Sequence, residues 1–83
     1  MYDVVVISLR LTITTGKVYW KIKRVAPGRP FLGWAREDGT FTPGVSPTPE
    51  SFDSLMFRTA DIAVEWAENQ GWNVVRVMSP TYD

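Results

Sequence analysis

The stretch from Leu55 to Met78 constrains this chain most. It reads as a short apolar strand, an amphipathic helix, a glycine stop and a second strand. Thr59 is placed to cap the helix, because its hydroxyl can accept from the free amides of the first turn. Asp61 follows where the helix dipole favours an anion. At about 100° per residue, Ala60, Ile62, Ala63, Val64, Trp66 and Ala67 fall on one broad side, and Asp61, Glu65, Glu68 and Asn69 on the other. Gly71 can take the left-handed conformation that ends a helix. A helix of about 11 residues is unstable alone, so it needs a sheet from the rest of the chain.

The remaining sequence supplies that sheet. Val4 to Ile13 is rich in β-branched residues: Val5, Ile7, Leu9, Leu11 and Ile13 alternate on one face, with Val4, Val6, Ser8, Arg10 and Thr12 on the other. Thr14 to Lys17 is read as the turn, and Val18 to Val25 as the return strand. Val18, Trp20 and Ile22 then share a face, opposite Lys17, Tyr19, Lys21 and Lys23. Phe31 to Arg36 reads as a third strand, with Gly33 marking a bulge or a close backbone approach. Residues 37–54 read as one long loop rich in proline and glycine, and residues 79–83 as a frayed tail.

The expected fold is a single α+β domain spanning residues 1–83: a small antiparallel sheet with one helix packed on one face, in the order β-β-β-loop-β-α-β. The expected structural core is Trp20, Trp34, Phe57, Ile62, Ala63, Trp66, Ala67, Gly71 and Trp72. Val4 and Val6 are expected on the uncovered face, with Trp34 a candidate to join them. Exposed apolar area there would mark a partner interface or a self-association surface, so a homodimer stays open.

Composition narrows the function. With 83 residues, of which 45% are hydrophobic and four are tryptophan, one modest core is within reach. The chain has no cysteine and no histidine. It therefore lacks a thiol nucleophile, thiolate metal ligands and the commonest general base. No cofactor and no catalytic residue is expected. Glu37, Asp38 and Asp53 could gather carboxylates for a hard cation, but an Asp-Gly turn explains Asp38 equally well. No apolar run has the length of a membrane span and the opening residues lack a signal core, so a soluble, cytoplasmic protein is the expectation.

Zero net charge hides a split. Residues 1–36 hold seven basic side chains against Asp3 alone, whereas residues 37–83 hold two against eight acidic ones. Lys17, Tyr19, Lys21 and Lys23, with Arg10 across the hairpin, form the candidate partner-binding strip. Three readings of it stay open: a solvated edge that resists aggregation, a contact for an acidic protein surface, and a phosphate-reading, base-stacking surface.

Three segments carry a resemblance. They are GKVYWKIKR with Trp20 to Arg24, the run Pro30, Phe31, Leu32, Gly33 and Trp34, and the helix pattern Ala63, Ala67, Glu68, Gly71 and Trp72. In this order they resemble the iron–sulfur-protein-4 accessory subunit family of respiratory complex I, over residues 16–78. The chain departs from the family in the proline-rich stretch before Leu55, in Thr59-Ala60-Asp61 at the helix start, and in lacking the family's basic extension after the last strand. The resemblance implies a non-catalytic module that docks on a larger protein complex. The departures suit an alternative, a small phage or mobile-element inhibitor of a host machine. A nucleic-acid-binding module is the second alternative.

Overall fold

The computed structural model describes residues 2–10, 18–43 and 55–78. In chain order these form β1 (Asp3–Arg10), β2 (Val18–Val25), α1 (Ala60–Asn69) and β3 (Asn73–Met78). The sheet runs β2-β1-β3, and α1 packs against all three strands. The α+β class with one helix on one face is thus the observed architecture among the described residues.

The hairpin pairs antiparallel from Asp3↔Val25 to Arg10↔Val18. Its expected turn lies outside the described residues. β3 corrects the expectation of a wholly antiparallel sheet: it joins β1 in parallel, from Asp3↔Asn73 to Ile7↔Met78. The cause is the crossover. Phe57 lies antiparallel to β2 and so runs with β1; α1 returns across the sheet, and the next strand must run with β1 again.

The strands expected at Phe31–Arg36 and before the helix are reduced to isolated bridges, Lys23↔Trp34 and Trp20↔Phe57. They still close the outer edge of β2. Arg24 N–H donates to Gly33 O (2.9 Å), Leu32 N–H to Arg24 O (2.8 Å) and Ala35 N–H to Ile22 O (2.8 Å), while Phe57 and Trp20 exchange two bonds of 2.8 Å. Gly33 prevents a regular strand: its φ is +124°, and a Cβ there would lie 2.1 Å from Thr42 O. The expected close backbone approach is therefore present. Ala35 then bridges Phe41 around a tight turn at Asp38-Gly39, so residues 37–43 are a hairpin rather than open loop. Residues 44–54 lie outside the described set.

The helix keeps its expected punctuation. Thr59 Oγ1 accepts from Ile62 N–H at 3.3 Å. At the other end Gly71 N–H donates to Glu68 O (2.9 Å) and Trp72 N–H to Ala67 O (3.1 Å), the paired bonds of a Schellman stop around Gly71 at φ +81°. Gly71 itself is exposed, which corrects its place in the expected core: its part is to turn the chain, not to fill space. Ala63 and Ala67 are fully buried, but Ile62 is 51% exposed, a second correction. It lies about 120° around the helix from the Ala63–Ala67 line, beyond the arc that two alanines let the sheet reach.

The helix-side core joins Val4, Val6, Ile22, Ala35, Ala63, Ala67 and Trp72, with Trp20, Phe41, Phe57, Val64, Trp66 and Val74 packed against it. Val4 and Val6 were expected on the uncovered face, yet both are 0% exposed. Register decides this. Val6 lies opposite Ile22 and Ser8 opposite Trp20, and cross-strand partners share a face. The other face is also buried at Val5, Tyr19, Lys21 and Trp34. Trp34 is therefore buried but not between sheet and helix; it stacks edge-on with Phe31, ring centroids 5.2 Å apart. Burial on both faces explains why Val4 to Ile7 reads as an unbroken apolar run.

Candidate functional surfaces

Lys21 and Tyr19 of the basic strip do not face solvent. Ile7↔Lys21 and Val5↔Lys23 are cross-strand partners, so both lysine stems lie over apolar side chains. Lys21 is 0% exposed and Tyr19 is 9% exposed, which corrects both as solvent-facing contact residues. Between β1 and the Gly33–Ala35 segment, Lys21 has its Nζ 5.4 Å from the Trp34 ring centroid. Burial holds its pKa below the ordinary 10.5. Lys23 is half-buried. Lys17 and the side chain of Arg10 lie outside the described residues. The warning in the sequence was that Val5 and Ile7, placed on an apolar face, are the residues these lysines pair with.

Of the acidic candidates, Asp38 has a structural role. Asp38 accepts from Thr40 Oγ1 (2.6 Å) and Thr40 N–H (3.0 Å). The Thr40 hydroxyl, then its amide, hold the carboxyl below its usual range. Asp38 thus closes the turn, as the Asp-Gly reading has it. No group of three potential metal ligands occurs among the described residues, and Asp53 lies outside them.

One constellation escaped the sequence. The Arg24 guanidinium lies 4.2 Å above the Tyr2 ring and 5.9 Å from that of Phe41. Aromatic contacts continue from Phe41 to Trp72 (4.8 Å), Trp66 (5.4 Å) and Phe57 (5.8 Å). This row lines one side of the helix-side core and ends at the half-exposed Tyr2. Tyr2 meets Arg24 only because Val4 lies opposite Arg24, a pairing that needs the hairpin register.

Large apolar side chains remain at the surface: Tyr2, Met56, Ile62, Val75 and Val77, between 43% and 51% exposed. On α1 the outward Asp61, Glu65 and Glu68 are exposed, and the last turn carries no basic residue. No helix among the described residues is long and apolar enough to cross a membrane. Comparison of the chain with family models, curated proteins and solved structures finds no match.

Proposed function

We propose that this chain is a non-catalytic protein-binding module that docks on a larger assembly. The carrying observation is the surface. Among the described residues, Tyr2, Met56, Ile62, Val75 and Val77 stand about half exposed, and such side chains gain most from burial against another protein. The resemblance to the complex I accessory subunits agrees in kind. Gly33, Trp34, Ala63, Ala67, Gly71 and Trp72 here serve packing and turning, so the shared motifs speak for a scaffold. The burial of Lys21 and Tyr19 favours the exposed apolar side chains over the basic strip as the docking surface.

The test is affinity capture with the tagged full chain from its native host, followed by reconstitution with the purified partner. A stoichiometric complex that survives gel filtration is the expected result. Capture of nucleic acid alone, or of no stoichiometric protein, overturns the reading.

A further inference from the structure

The two edges of the sheet are treated differently. β2's outer edge is closed by five backbone hydrogen bonds from the Leu32–Ala35 and Phe57 segments. β3 pairs only with β1 among the described residues. Its start is pinned, with Asn73 N–H donating to Tyr2 O (2.8 Å) and Asn73 Nδ2 to Asp3 Oδ1 (3.2 Å). Along the strand Val75 is 51% and Val77 46% exposed. β3 contains neither proline nor lysine; of the devices that guard an edge it has only the bulge opposite Val4–Val5 and the single charge of Arg76.

We propose that this edge of β3 is the docking edge, and that its occupant is an extended segment of a partner protein carrying a carboxylate beside Arg76. The proposal rests on the binding-module reading and names its surface. A row of backbone donors and acceptors without a strand partner among the described residues is complementary to a strand. Arg76, exposed and the strand's single charge, asks for an anion across from it.

A second copy of β3 is the competing occupant. The register shift between Val4 and Val5 leaves one extra β3 residue. An antiparallel two-fold pair centred on Arg76 opposes like charges, whereas one centred between Val75 and Arg76 keeps Val74 opposite Val77 and Asn73 opposite Met78 on matched faces. That pair sets Arg76 against an apolar Val75 with no anion, which a partner strand with a carboxylate supplies.

The test uses the full chain and two synthetic decapeptides of alternating threonine and valine, one with a central glutamate and one with a central lysine. Amide exchange read by NMR should slow across Asn73–Met78 with the glutamate peptide, at an affinity at least fivefold above the lysine peptide. Arg76→Glu should reverse that preference. The double variant Val75→Lys/Val77→Lys should lose binding at least tenfold with an unchanged melting midpoint, since both side chains are exposed. Protection elsewhere, no protection, a preference indifferent to Arg76→Glu, or concentration-dependent protection without peptide would each overturn the proposal. A native partner that binds the double valine variant as tightly as wild type would sink the edge while leaving the binding-module reading intact.

Discussion

Lys21 shows how much one residue's role depends on its neighbours. It is buried on β2 between β1 and the Gly33–Ala35 segment, so Lys21→Glu should cost about 3–5 kcal/mol and leave little cooperative unfolding by circular dichroism. Lys21→Met keeps the apolar stem and should fold. The two proteins should also differ in pH response. With the folded pKa lowered, the unfolded chain holds the proton and the folded chain does not between that value and 10.5. Stability therefore rises with pH through this window and drops as pH falls through the folded value. Urea midpoints from pH 7.5 to 10.5 should rise less for Lys21→Met than for wild type. Gly33 is the second residue whose identity is dictated by its surroundings. Gly33→Ala meets Thr42 O as well as an unfavourable φ, whereas at Gly71 nothing lies within 4 Å of a Cβ. Gly33→Ala should cost about 2–3 kcal/mol against about 1 for Gly71→Ala, read from denaturant midpoints.

At the scale of the element, α1 is the part most legible in advance. Its cap, its first-turn acid and its glycine stop are local chemistry, written within a few residues of where they act. What local chemistry left open was the width of the buried arc. Two alanines at its centre bring the helix close to the sheet, so Ala63→Leu should overpack and cost about 1–3 kcal/mol. Ile62→Ser, on the outward side, should stay within about 0.5 kcal/mol of wild type. Equal losses for the two variants in thermal melts would mean that Ile62 packs as the broader reading had it. The β strands were harder. β1 carries apolar residues at both parities, so its pattern alone cannot say which face meets the helix. The short bridges at Trp34 and Phe57 show the same limit, since a strand's length depends on the partner it finds.

For the whole molecule, Trp72 is the point where sheet, helix and hairpin turn converge, with the rings of Tyr2, Phe41 and Trp66 around it. Trp72→Ala should cost about 3–5 kcal/mol, comparable with the entire stability of many small domains. A melting midpoint unchanged by that substitution would place the core elsewhere. The sequence by itself determined the α+β class, the helix α1 with both its ends, the hairpin strands and the absence of thiol and imidazole chemistry, because each follows from residue type or short-range periodicity. The tertiary structure alone decided that β3 runs parallel to β1, that Val4 and Val6 face the helix, that Lys21 is buried and that Arg24 stacks on Tyr2. Those facts depend on register and crossover direction. A shift of one residue in the hairpin exchanges the two faces of a strand, and no local signal in a two-sided apolar strand fixes which of them the helix will cover.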